Sequence, residues 1–266
     1  MAFDHHPSLQ DVRSQRGVRT LLQVHTDHPD EASACHDAGI DIVGADTEDM
    51  LAATAAAAPN SFIWCGIPHA TVAGPDDALR VASRMHLAGA DAVYCSLSPR
   101  LIEVIAAEGI PVVGHIGLVP NRATWTNFRA FGKTADEARQ LYIDMKRLES
   151  AGAACVEIEV VPPNVATALT QRTSLVTMSM GSGTGCDTQY LFSADILGEN
   201  EGHVPRHAKV YADLAARRRE LHHVAVSALA EWATEVTSGA FPTASHLVEM
   251  GDAEQAQFDE FLDGLD

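Results

Sequence analysis

Short apolar runs alternate along the chain with longer stretches of helical periodicity. The runs are Thr20–Val24, Ile40–Ala45, Ser61–Gly66, Asp91–Cys95, Pro111–His115, Cys155–Val160, Leu175–Met180 and Tyr190–Phe192. Most are rich in Val and Ile and entered from Gly or Pro, the signature of strands buried on both faces. Between them, Asp76–Leu87 sets Ala78, Leu79, Ala82, Met85 and Leu87 at helical spacing. Thr134–Ser150 opens with Thr134 three residues before Glu137, which predicts a capping box.

A small repeat joins the two kinds of segment. Ala38-Gly39-Ile40-Asp41-Ile42-Val43, Ala88-Gly89-Ala90-Asp91-Ala92-Val93 and Ala151-Gly152-Ala153-Ala154-Cys155-Val156 share A-G-x-x-x-V, and Gly109 heads a looser copy. Each predicts a helix that ends on a left-handed glycine and passes at once into a buried strand. Eight such strands with helical crossovers predict an α/β fold, a (β/α)8 TIM barrel. A doubly wound open sheet is the alternative, but no G-x-G-x-x-G follows the first strand. After Gly198 the pattern is purely helical through Ala208–Ser238. The barrel domain is therefore expected over 1–242. Residues 243–266, with seven acidic residues and no Lys or Arg, form an expected acidic tail with a short amphipathic helix.

Composition narrows the partners. Eighteen Lys+Arg against 36 Asp+Glu give a net charge of -18, which repels phosphate backbones and anionic lipid. Neither nucleic acid nor a membrane is an expected partner. Five scattered cysteines without a C-x-x-C pair make no disulfide framework, and the first ten residues lack the layout of a signal peptide. A reducing cytoplasm is the expected compartment.

In a parallel barrel the chemistry lies at the carboxyl ends of the strands. Those ends carry His25 and Asp27, Asp46 and Thr47, Gly66 and His69, Cys95 and Ser96, His115, Glu157 and Glu159, Ser179 and Ser182, and Asp195. Alternation puts Glu157 and Glu159 on one side of their strand. Held among Ile and Val, the Glu159 carboxylate is expected to have its pKa pushed toward neutrality, as a base at a carbon acid requires. A salt-bridged rim position is the other reading of Glu159. A soft-metal set of His25, Cys65, His69, Cys95 and His115 would suit zinc if the barrel mouth gathered them.

From about Leu9 to Pro242 the chain resembles the ketopantoate hydroxymethyltransferase family. The match is carried by Gly109-Ile110-Pro111-Val112-Val113-Gly114-His115-Ile116-Gly117-Leu118-Val119-Pro120, by Glu159-Val160-Val161-Pro162, by Asp195-Ile196-Leu197-Gly198 and by Ser238-Gly239-Ala240-Phe241-Pro242. The resemblance implies a barrel of the phosphoenolpyruvate/ketopantoate type and a homo-oligomer, a decamer of stacked pentameric rings. It also implies an α-keto acid substrate activated as its enolate over magnesium, and methylene-tetrahydrofolate as one-carbon donor. Glu159 stands at the family's base; Asp46, Thr47, Ser96 and His115 are the expected substrate contacts, and Asp46 is the remaining metal aspartate.

The departures fall in the site. Where the family has D-x-P after strand three, this chain has Gly66-Ile67-Pro68. Its strand-four K-L-E is replaced by Tyr94-Cys95-Ser96. One carboxylate is a poor magnesium site. Three readings follow: aldol-type bond formation or cleavage on a keto acid or related carbon acid with Glu159 as base; 3-methyl-2-oxobutanoate hydroxymethylation with a rebuilt metal site; and a non-catalytic oligomeric homologue.

Overall fold

All eight apolar runs are strands. They are β1 (Leu21–Thr26), β2 (Ile42–Ala45), β3 (Phe62–Gly66), β4 (Ala92–Tyr94), β5 (Val112–Gly117), β6 (Cys155–Glu159), β7 (Val176–Met180) and β8 (Thr188–Phe192). Each pairs in parallel with the next, and β8 closes on β1 through Leu21 opposite Thr188. The computed structural model describes residues 3–68, 71–200 and 202–265. They fall into two compact units, Met1–Asp213 and Leu214–Asp266.

Helices α1 (Leu9–Ser14), α2 (Pro29–Ala38), α3 (Glu48–Ala57), α4 (Pro75–Leu87), α5 (Pro99–Ala107), α6 (Ala135–Ser150), α7 (Pro163–Thr170) and α8 (Ser193–Leu197) belong to the first unit. The four glycine joints hold: Gly39, Gly89, Gly109 and Gly152 have φ of 75°, 111°, 80° and 84°. Thr134 caps α6 by accepting from the Glu137 N–H at 3.2 Å. The expected capping box is not completed, because the Glu137 carboxylate reaches the Lys133 N–H instead and pairs with Arg129. Between β7 and β8 there is no helix, only the loop 181–187.

Strand alternation divides the core in two. Leu21, Ile42, Phe62, Trp64, Val113, Cys155, Met178 and Tyr190 pack inside the barrel, with Val12 of α1 in the same cluster. Val24, Val43, Ile63, Cys65, Val93, Cys95, Ile116, Val156 and Ile158 pack outward in a second cluster with α2 to α7. The amino-terminal ends of the strands are fastened by buried carboxylates. Asp41 accepts both guanidinium arms of Arg19 at 2.8 and 2.7 Å, and Asp187 accepts from Arg16 and Thr177.

The second unit holds α9 (Leu214–Ser238) and α10 (Asp252–Asp263). Helix α9 starts later than the pattern predicts, since 208–213 are not helical. Along it, Leu221, Val224, Leu229, Trp232 and Val236 are exposed. Among the described residues, no helix is long and apolar enough to cross a membrane.

Candidate active site

Two groups of polar side chains sit at the carboxyl ends of the strands. The first is built on β4, β5 and β6, where the register sets His115 opposite Glu157 and Gly117 opposite Glu159. The period of two sends His115, Glu157 and Glu159 to the barrel interior. Tyr94, at the end of β4, hydrogen-bonds through its hydroxyl to His115 Nδ1. His115 Nδ1 lies 3.9 Å from Glu157 Oε2, and Nε2 lies 3.1 Å from Glu159 Oε2, an ion-pair contact without hydrogen-bond alignment. The His115 side chain is fully buried, whereas that of Glu159 keeps 15 % exposure, so Glu159 is the member that a substrate can reach.

The electrostatics follow from this enclosure. Burial pushes the Glu157 carboxyl up to about 7, against the pull of His115 and with Glu159 adding to the rise. Burial alone would lower the His115 imidazole, but Glu157 and Glu159 outweigh it and raise its pKa. Burial, with Glu157 beside it, holds the Tyr94 hydroxyl well above the usual phenol range, so it stays a proton donor. The raised carboxylate expected at Glu159 is found two residues earlier, at the fully buried Glu157.

The backbone at this point is strained. Val160, the residue after Glu159, has φ of 51°, a left-handed conformation that β-branched residues avoid. Its N–H donates to the Met180 carbonyl at 2.8 Å and its carbonyl accepts from Phe131. Ser182 locks the bend: its hydroxyl donates to the Ile158 carbonyl at 2.7 Å and accepts from the Val161 N–H at 3.0 Å. Gly117 lets β5 pass close by, since a Cβ there would lie 2.1 Å from the Glu159 carbonyl oxygen. Ser182, at a strand end in sequence, therefore holds the site rather than facing a substrate.

The second group lies across the mouth on β1 and β2. His25 Nε2 is 3.4 Å from Asp46 Oδ1 and 3.9 Å from Asp27 Oδ1. The imidazole is set between Trp64 and Phe192, at centroid distances of 5.5 and 4.8 Å. Gly44 makes room for this stack, because a Cβ would lie 2.5 Å from Cζ2 of Trp64. Burial lowers the His25 pKa, against the pull of Asp46 and Asp27.

The remaining expected positions separate. Thr47 is exposed at the amino-terminal cap of α3 and its side chain makes no capping bond. Ser96 is buried; its carbonyl accepts from Asn121 at 3.1 Å, and it lines with His115 a cavity of about 420 Å³ walled by Arg122, Trp125 and Phe131. Gly66 brings no ligand. The soft-metal set does not gather: Cys65 and Cys95 face the outer layer, where burial pushes their thiols up to about 12 and about 11, and His69 lies outside the described residues. Sequence reasoning missed Tyr94 as a partner of His115. Its place one alternation before Ser96 was the available signal.

The profile of the ketopantoate hydroxymethyltransferase family matches residues 30–244. The chain is 39 % identical over 215 residues to the 3-methyl-2-oxobutanoate hydroxymethyltransferase of Pyrobaculum islandicum, covering 78 % of this chain and 79 % of that one. It is 35 % identical to that of Pyrobaculum neutrophilum, covering 91 % and 98 %. Among solved structures, a phosphonopyruvate hydrolase in complex with oxalate and magnesium superposes with a TM-score of 0.53 at 13 % identity, covering 97 % and 98 %. A putative phosphonomutase from Burkholderia cenocepacia gives 0.55 at 12 %, covering 84 % and 100 %; at such identities the likeness is one of fold. On the extent of the family match, the chain belongs to the ketopantoate hydroxymethyltransferase family.

Proposed function

We propose that the protein is an enzyme that makes or breaks a carbon–carbon bond next to the carbonyl of an α-keto acid, through an enolate. The observation that carries this reading is Glu159, partly open at the mouth, beside a His115 that is fully enclosed. Glu159 takes the proton from the carbon next to the keto group, and the electron pair moves onto the keto oxygen. His115, with its Nε2 3.1 Å from Glu159 Oε2, holds that carboxylate in place. The Tyr94 hydroxyl, at the position of the family's lysine, is the donor placed to meet the developing enolate charge. The enolate carbon then attacks a one-carbon electrophile, or the reverse step releases one.

Asp46, with His25 and Asp27, is the donor set that would hold a divalent ion, whose chemistry would be to neutralise the enolate oxygen. One imidazole and two carboxylates fit such an ion better than they fit the oxygen octahedron of magnesium. Methylene-tetrahydrofolate is the one-carbon donor that the family resemblance supplies. We place the chain in a homo-oligomer and assign Thr47 and Ser96 to substrate contact on the same grounds. The second reading, 3-methyl-2-oxobutanoate hydroxymethylation itself, is favoured by the names of the relatives.

The test is solvent deuterium uptake by a panel of keto acids, followed by NMR. The wild type should exchange the proton next to the keto group, and Glu159→Gln should abolish the exchange while leaving the fold intact. Exchange that persists in the variant would remove Glu159 from the role. Ketopantoate release from 3-methyl-2-oxobutanoate and the folate donor separates the two readings.

A further inference from the structure

The reaction as proposed uses Glu159, His115 and Tyr94 and leaves Glu157 without a task, although Glu157 lies among all three. Its side chain is 5 % exposed, and among the described residues its only ion-pair contact is His115 Nδ1 at 3.9 Å. The Tyr94 hydroxyl, hydrogen-bonded to that same nitrogen, also interacts with the Glu157 carboxyl.

The strand register explains this convergence. Tyr94 pairs with Val113, two residues before His115 on β5, and Glu157 lies opposite His115 on one side and Met178 of β7 on the other. The titratable side chains that face Glu157 are Tyr94 of β4, His115 of β5, Glu159 of its own strand and Tyr190 of β8. None is a lysine or an arginine. A carboxyl group enclosed without such a partner favours its protonated form, so Glu157 has a proton to give. Two arms lead away from it. His115 leads to Glu159, the base; Tyr94 leads to the place where the enolate oxygen develops. In a medium of low dielectric a change of net charge is what costs most. A proton released at Glu157 as another arrives at Glu159 leaves the net charge of the enclosure unchanged.

We propose that Glu157 is the acid of the enolisation, acting through Tyr94 and in step with Glu159 as the base; the role rests on the keto-acid reading. Glu159 takes the proton from the carbon next to the keto group. The C–H electron pair forms the carbon–carbon double bond, and the keto π pair moves onto oxygen. That oxygen takes the Tyr94 proton, and Tyr94 takes the proton of Glu157, which is left as a carboxylate beside His115. When the nucleophilic carbon attacks its electrophile the carbonyl re-forms. The proton on oxygen then returns to Tyr94, and Tyr94 returns its own to Glu157. Glu157 is thus reset in each turnover without touching the substrate.

The experiment is the pH profile of solvent deuterium uptake by the keto acid panel, for the full-length wild type, Glu157→Gln and Tyr94→Phe. Infrared spectra of the same proteins without keto acid accompany it. The wild-type rate should fall about tenfold per pH unit above about 7, where Glu157 loses its proton. Glu157→Gln and Tyr94→Phe should each lower the plateau rate about a hundredfold and remove this alkaline limb. A side chain that only packs would change the rate and leave the limb. The wild type should show a protonated-carboxyl band at about pH 6 that is lost by about pH 8. The band should be absent from Glu157→Gln and kept in Tyr94→Phe, which carries the test if Glu157→Gln fails to fold; circular dichroism checks both. An alkaline limb that survives in Glu157→Gln belongs to His115 and would overturn the proposal, as would a wild type without the band. No uptake from any keto acid by a wild type that shows the band would sink the keto-acid reading, and this role with it.

Discussion

Gly117 and Gly109 form a matched pair for testing how the site is held. Both have left-handed backbones, with φ of 93° and 80°. At Gly109 an added Cβ meets nothing within 4 Å, whereas at Gly117 it would lie 2.1 Å from the Glu159 carbonyl oxygen and 3.0 Å from Cγ2 of Val161. An L-residue in the left-handed region costs roughly 1–2 kcal/mol, and alanine recovers up to about 1 kcal/mol by stiffening the unfolded chain. Gly109→Ala should therefore cost roughly 0–2 kcal/mol. Gly117→Ala adds an overlap with backbone that no rotamer change relieves, about 1–3 kcal/mol on the scale of overpacked cores. At about 2–4 °C per kcal/mol for a unit of this size, Gly117→Ala should melt roughly 2–12 °C below Gly109→Ala. Calorimetry measures the difference, and deuterium uptake should fall only for Gly117→Ala, since only that change moves the residue bearing the base. Equal melting temperatures with equal exchange rates would show that the contact between β5 and the Glu159 carbonyl does not position the site.

The buried acid pair predicts a pH dependence. Folded Glu157 binds its proton more tightly than an unfolded glutamate, with its pKa pushed from 4.5 to about 7, so its contribution makes stability fall as pH rises across that window. His115, also raised, stabilises fully below about 6.5 and loses that contribution as pH climbs through its folded value, which acts in the same direction. Denaturant midpoints at pH 5, 6, 7 and 8 should decline more steeply for the wild type than for Glu157→Gln; parallel curves would refute the assignment. All five cysteines are buried, with Cys35 and Cys155 thiols pushed up to about 12 by burial, so a thiol reagent should label the native protein only at the rate of unfolding. Rapid stoichiometric labelling at neutral pH would contradict this packing.

Much of the barrel was legible because its signals are local. The left-handed joints at Gly39, Gly89, Gly109 and Gly152 mark where a helix hands over to a strand, and no long-range contact is needed to read them. Glu157 and Glu159 were placed on one face by alternation alone. What escaped was everything that depends on which strands become neighbours around the circle. His25 was grouped with thiols because sequence lists strand ends without saying which way they face, and Cys65 and Cys95 sit one position out of phase with the interior. The contact of Tyr94 with His115 joins adjacent strands across the intervening α5. The bend at Val160 was invisible for another reason: it rests on Ser182, from the loop after β7, and local preference alone would have kept β6 straight.

The interleaving of inner and outer layers has a consequence for how this protein could have diverged. Along β3 and β4, Cys65, Val93 and Cys95 face the helices, while Trp64 and Tyr94 face the interior. Selection for folding and selection for reactivity thus act on alternate letters of the same strand. Strand-end residues such as Gly66 and Ser96 can therefore change without disturbing the outward packing that keeps the barrel closed. Drift in chemistry is then nearly decoupled from drift in stability, and a family member can lose its ancestral ligands long before it loses its ancestral shape.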